Sequence, residues 1–154
     1  MNVKVFTFNP IQENTYLLFN EKRNAIIIDP GCFFEEEKNV LKKFIDENNL
    51  KPVQLLNTHC HLDHVFGNKF IHDTYGLELY IHPKEKMMLE YAPISGEQYG
   101  LAFENYTGNL HFIQEGDSII LDEEVLEIFN TPGHSPGHLS FYNRNQNFAV
   151  VGDV

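Results

Sequence analysis

The sequence predicts one layered α/β domain, on three observations. Strand-type apolar runs recur from end to end, amphipathic helical stretches separate them early, and hairpin-type turns join them late. At 154 residues the chain is most simply a single domain, 1–154, long enough to bury roughly two-thirds of its unfolded surface.

In order along the chain, VKVFTF alternates polar and apolar residues, NTYLLF follows a turn at Asn9-Pro10, and NAIIIDPG is an apolar run stopped by Pro-Gly. Val40, Leu41, Phe44 and Ile45 then recur at helical spacing among Lys and Glu, which predicts an amphipathic helix between Glu35 and Asn49. PVQLLNT reads as a short buried strand. The segment from about Asp63 to Tyr75 reads as one helix ended by Gly76. LELYI is a further strand, and a helix opens at Pro83, a good first-turn residue. From Ala92 to Gly108 the pattern fades, which predicts a mobile or partly ordered loop near the site. DSIIL, VLEIFN, HLSFY and NFAVV are the remaining strands. The last of these ends the chain on an interior-type strand, which predicts a product shortened at its C-terminus with an uncovered sheet edge.

Composition excludes several classes. No apolar run approaches the ~20 residues that span a bilayer, and MNVKVFTFNP is no export signal, so no membrane partner and a cytoplasmic location are expected. A formal charge of −11 argues against a nucleic-acid partner, which calls for a basic face. The acidic clusters EEEK and LDEE read as solvated surface. Cys32 and Cys60 lie far apart and suggest no disulfide framework.

The chemistry concentrates in three places. THCHLDH, Thr58 to His64, follows an apolar strand. In extended chain His59 and His61 point the same way and Cys60 points opposite, while the turn into a helix brings Asp63 and His64 round to the same region. Three imidazoles and a carboxylate within six residues form a nitrogen and oxygen ligand set for zinc or a related ion. No structural role calls for that composition. TPGHSPGH, Thr131 to His138, is a loop stiffened by two Pro/Gly turns that can aim His134 at the same ion, with His138 as a hydrogen-bonded support. VVGDV supplies Asp153, a carboxylate able to bridge two ions. His72, His82 and His111 are scattered and read as surface or satisfied residues, and the aromatic residues at alternating strand positions read as core.

These three motifs, in this order, resemble the hallmark of the metallo-β-lactamase superfamily, HxHxDH followed by a distant His and then Asp. NTYLL and IIIDPG fit too, with Asp29 supporting the ligands, and the likeness runs over the whole chain. Within the superfamily the chain is most similar to small glyoxalase II-type hydrolases, the hydroxyacylglutathione hydrolases. The resemblance implies an αββα sandwich lacking its C-terminal elements, with the metals at one edge between two sheets. It implies His59, His61 and His134 on one Zn2+, Asp63 and His64 on a second, and Asp153 between them, with iron or manganese as alternative metals. In the family the second ion gains a further histidine downstream of the bridging aspartate, beyond this chain's last residue.

The implied activity is hydrolysis of a small-molecule thioester, such as an S-acylglutathione, by attack of a metal-bound hydroxide, with Asp63 orienting that nucleophile and able to take the proton it gives up. Two rival expectations stand beside it. One is a persulfide dioxygenase with a single iron on His59, His134 and Asp153. The other is a catalytically impaired metal-binding chain that self-associates through its exposed sheet edge.

Overall fold

The computed structural model describes residues 1–153. Six strands make the first sheet: β1 (Asn2–Phe8), β2 (Glu13–Phe19), β3 (Asn24–Ile28), β4 (Lys51–Leu56), β5 (Leu79–Ile81) and β6 (Leu110–Phe112). They lie side by side in chain order, antiparallel from β1 to β3 and parallel from β3 to β6. The parallel half needs crossovers, and helices supply them: α1 (Glu35–Glu47), α2 (Leu62–Val65), α3 (Asn68–Tyr75) and α4 (Lys86–Gln98). The second sheet is an antiparallel meander of β7 (Ser118–Leu121), β8 (Glu124–Asn130), β9 (Leu139–Asn143) and β10 (Phe148–Val150).

Alternation along the strands divides the core in two. Leu17, Ile27, Leu55 and Leu79 face the helices, where they meet Leu41 and Ile45 of α1, Ile71 of α3 and Leu89 of α4. Leu18, Ile26, Ile28 and Leu56 face the other way and pack on Leu126, Ile128, Phe141 and Val150 of the second sheet. The order of layers is therefore helix, sheet, sheet. Ile120, Val125 and Phe129 on the outer face of the second sheet are exposed among the described residues. No helix among the described residues is long and apolar enough to cross a membrane.

Four elements differ from the sequence reading. The expected single helix from Asp63 to Tyr75 is two, α2 and α3, broken at Phe66 and Gly67, and it ends as expected on a left-handed Gly76. NFAVV, read as a buried-type strand, lies at the end of the second sheet formed by the described residues, with Ala149 exposed. Within EEEK, Glu37 is not free in solvent. Its carboxylate accepts the N–H groups of Phe33 at 2.9 Å and Asn9 at 2.6 Å, closing the start of α1.

The fourth difference matters most for the site. The segment expected to be a mobile loop begins as α4, which runs through Pro93 to Gln98. Proline cannot donate to the carbonyl four residues back, so Leu89 O loses its helical partner. The side chain of Asn105 donates to that oxygen at 2.8 Å, which both repairs the helix and ties the returning chain against it.

Candidate metal centre

The parallel strands end on one edge of the molecule, and the chain leaving β3 and β4 there carries polar residues of the centre. Asp29 follows β3 with a left-handed φ of 55°. A non-glycine residue there stores strain of ~1 kcal/mol or more, and its bonds show what the conformation achieves. Its buried carboxylate accepts the backbone N–H and the hydroxyl of Thr58, each at 2.7 Å, and lies 2.9 Å from His64 Nδ1. The Thr58 hydroxyl also meets His59 Nδ1 at 2.9 Å. Asp29 thus fixes the start of the THCHLDH loop and orients two of its imidazoles, the supporting place anticipated for it.

The alternation expected of this loop holds. His59 and His61 lie on one side with ring centroids 4.8 Å apart. Cys60 turns into the core, where its Sγ lies 3.7 Å from Asn57 Oδ1. His61 is still extended where it caps α2, so Asp63 and His64 enter from the first helical turn. The TPGHSPGH loop joins β8 to β9 and brings His134 Nε2 to 2.9 Å from His61 Nδ1. Asp153 follows β10, and its Oδ2 lies 3.1 Å from His64 Nε2, 3.2 Å from His134 Nε2 and 3.5 Å from His59 Nε2. Gly152 makes this approach possible. A side chain there would put its Cβ 2.5 Å from Thr58 Oγ1 and 2.8 Å from His138 Nε2.

Every candidate ligand read from the sequence therefore reaches one region. His59, His61 and His134 present ring nitrogens within 4.8 Å of one another, and Asp63, His64 and Asp153 form an adjoining set on the same criterion. His138 is a support, meeting Thr131 Oγ1 at 2.8 Å and accepting the Asp153 N–H at 3.1 Å. His72, His82 and His111 bond to Leu77 O, the Lys84 N–H and Glu78 respectively, outside the centre.

Two buried carboxyl groups were not legible in the sequence. Glu85 lies in the 3-10 turn Pro83–Glu85 and is fully buried. It accepts the Cys60 N–H at 2.8 Å, the Gly137 N–H at 2.8 Å and the Ser135 hydroxyl at 2.7 Å. One side chain thereby binds the His59 loop to the His134 loop. Glu13 lies behind His64, bonded to Thr15 Oγ1 at 3.0 Å, while its other oxygen has no hydrogen-bond partner and lies 3.6 Å from His64 Nδ1. Burial raises its carboxyl well above the ordinary carboxylate range.

The electrostatics suit a cation. Burial is the main cause holding His59 down to about 2, so its ring is neutral and keeps a lone pair. That lone pair, on Nε2, is buried and has no hydrogen-bond partner. An orphaned buried polar atom costs about 1–3 kcal/mol, and here it faces carboxylate and imidazole donors of the kind first-row divalent ions take. Burial opposes a charge on His64, but the charge of Asp29 and bonds to Asp153 and Asp29 prevail, lifting it to about 11. Burial is also the first cause lifting Asp63 above its ordinary value. Beside the centre opens a cavity of about 670 Å³ to which Asp63, His61, His134 and Asp153 contribute.

Two stacked sheets with helices on one face, and a nitrogen and oxygen donor set at the strand ends, define a class: metal-binding α/β sandwiches. Comparison with known proteins narrows it. A family model described as the metallo-beta-lactamase superfamily matches residues 8–154. The hydroxyacylglutathione hydrolase GloC of Haemophilus influenzae is 33% identical over 156 residues, spanning 100% of this chain and 72% of that protein. Among solved structures, the B3 metallo-beta-lactamase BLEG-1 superposes with a TM-score of 0.86 at 30% identity, over 99% of this chain and 72% of its own. TTHA1623 in a di-iron-bound form gives 0.84 at 32% identity with the same coverage. The chain belongs to the metallo-beta-lactamase superfamily, whose members bind divalent metals and are generally metal-dependent hydrolases.

Proposed function

We propose that this protein is a metal-dependent thioesterase of the glyoxalase II kind, acting on small thioesters such as S-acylglutathiones. The observation that carries it is the convergence of His59, His61 and His134 beside Asp63, His64 and Asp153, with His59 Nε2 left unpartnered at their centre. Likeness to a hydroxyacylglutathione hydrolase supports the substrate class.

His59, His61 and His134 would hold one ion, Asp63 and His64 a second, and Asp153 both. Zinc is the expected metal, and the di-iron form of TTHA1623 keeps iron as the alternative. Bound there, the metal supplies Lewis acidity, making a water acidic near neutral pH and stabilising charge on the carbonyl oxygen. The protein does the rest. Asp63, in the wall of the cavity, orients the attacking water and accepts its proton, a role suited to a carboxyl group raised by burial. The water oxygen bonds to the carbonyl carbon, the C–S bond breaks, and the proton passes from Asp63 to the departing sulfur. Asp29 and Thr58 hold the His59 and His64 rings against reorientation throughout.

The test is metal analysis with turnover. Protein loaded with zinc or iron should bind up to two ions per chain and release thiol from S-acylglutathiones. A single iron with oxygen consumption and no thioester cleavage would replace this reading with the dioxygenase one. No metal bound, together with self-association in size-exclusion analysis, would favour the impaired binding chain.

A further inference from the structure

The cavity beside the metal centre has a second wall that takes no part in holding metal. Met88, Tyr91, Ala92 and Ser95 form it from α4, and Tyr99 and Leu101 from the chain that returns beneath it. Ile11 and Leu62 close the opposite side, so the cavity passes from a polar floor of His61, Asp63, His134 and Asp153 to an apolar body. Among the described lining residues there is no lysine or arginine. Tyr91 and Tyr99, 46% and 71% exposed, stand as large aromatic surfaces at its rim.

This wall is built, not incidental. Asn105 repairs the carbonyl that Pro93 leaves open, and Leu101 N donates to Gly96 O at 2.7 Å. Gly96 admits the returning chain, since a Cβ there would stand 2.6 Å from Leu101 O and 3.2 Å from the Phe103 ring. Tyr106 anchors the far end, its hydroxyl donating to Asn109 O and accepting from Leu79 N. Three independent ties hold Leu101 and Tyr99 where the cavity needs them.

We infer that this apolar wall receives the acyl group of the substrate and selects linear apolar acyl chains over short or hydroxylated ones. The inference rests on the thioesterase reading for the reacting bond and adds which side of it the cavity recognises. A glutathionyl group carries two carboxylates and an ammonium, and a wall of Met88, Ala92 and Leu101, with the hydroxyls of Tyr91, Ser95 and Tyr99 beside them, offers those groups no charged partner. An alkyl chain loses water there at no polar cost. A cavity of about 670 Å³ lies within the ordinary range for small-molecule sites.

Two measurements on the metal-loaded protein test this together. In the first, kcat/KM is compared for S-lactoyl-, S-acetyl-, S-butanoyl- and S-hexanoylglutathione. It should rise about threefold per added methylene, with lactoyl well below butanoyl. In the second, binding of the uncleavable thioethers S-methyl- and S-hexylglutathione is measured by calorimetry, and the hexyl compound, five methylenes longer, should bind about 200-fold more tightly. Met88→Gln should flatten both trends, and Met88→Leu should restore them. Turnover that is flat with chain length, or fastest for lactoyl, would overturn the acyl-pocket inference and leave the thioesterase reading standing. Graded thioether binding without any cleavage would do the reverse. Equal binding of the two thioethers would sink the pocket whatever the turnover shows.

Discussion

The two loops that face each other across the metal centre are built on opposite plans. The Thr58–His64 loop is mostly buried and two of its donors are held from behind, His59 by Thr58 and His64 by Asp29, while Glu85 holds the backbone at Cys60. The Thr131–His138 loop exposes His134, whose side chain is 45% accessible. It is fastened at its base, through Ser135, Gly137 and His138, rather than at its tip. One side of the centre is preorganised as part of the core. The other is a surface turn pinned at its base. A buried donor set serves folding and ligation at once, whereas an exposed donor can be lost with little effect on the fold.

That contrast sets the largest expected effect. His59→Ala and His134→Ala should each lower kcat/KM at least about 100-fold, since each removes a donor from the same ion. They should part company in the metal-free state. His59→Ala removes a ring stacked on His138 at 4.8 Å and bonded to Thr58, a loss that removal of the unpartnered Nε2 offsets only in part, and should cost about 1–2 kcal/mol in urea denaturation. His134→Ala should stay within about 0.5 kcal/mol. Equal destabilisation by the two would erase the distinction between the loops.

Glu85 is where the two plans meet, and it offers the next effect. In Glu85→Gln either end of the amide faces a backbone N–H, from Cys60 or from Gly137. One of these must lose its acceptor in a fully buried place, at a cost of about 2–3 kcal/mol. Urea denaturation measures the loss, and metal affinity should weaken with it, because one of the bonds that tie the two loops together is lost. Unchanged stability would mean that the His134 loop is held by its own turns alone.

Why Glu85 escaped the sequence reading, while the metal donors did not, is a matter of range. His59, His61, Asp63 and His64 lie within one strand end and one helical turn, so local geometry already aims them. His134 lies in a turn-rich loop after a strand, and Asp153, at the end of a strand, gains meaning only in combination with the other two motifs. Glu85 is a lone acid after Pro83, indistinguishable from a first-turn helix residue until burial and two distant loops give it meaning. Glu13, inside a strand of alternating residues, is hidden for the same reason. The stretch from Ala92 to Gly108 gives the opposite error. Its fading apolar pattern reads as a loose loop, but α4 continues through Pro93, and Asn105 supplies at long range the bond that Pro93 removes. The layered fold itself was legible because its two periodicities are local.

A smaller test bears on the buried side alone. Thr58→Val keeps the shape of the side chain but removes the hydroxyl shared by Asp29 and His59. Metal affinity should fall about 10–100-fold, the usual cost of losing a group that orients a ligating imidazole. Competition with a chelator measures it. A loss confined to the fold, with affinity intact, would show that burial alone positions His59.

The smallest effect comes from the two thiols, both of which belong to the buried side. Burial pushes Cys32 up to about 12, and burial with the charges of Glu85 and Asp29 pushes Cys60 up as well. In the unfolded chain a thiol ionises near 8.5. Below that value both states keep the proton and stability is unaffected. Above it the unfolded state loses the proton and the folded state does not, so stability falls as pH rises toward the folded value. Between pH 7 and pH 9 the loss should be about 1 kcal/mol for Cys32, and Cys60 should add to it in the same direction. Cys32→Ala and Cys60→Ala would each remove part of that slope while His134→Ala would leave it untouched. At pH 8 neither thiol of the folded protein should react with a maleimide, and both should react in urea. Rapid labelling of Cys60 in the folded state would mean that the Thr58–His64 loop opens as readily as the loop facing it, and the difference between the two sides would then lie in the donors alone.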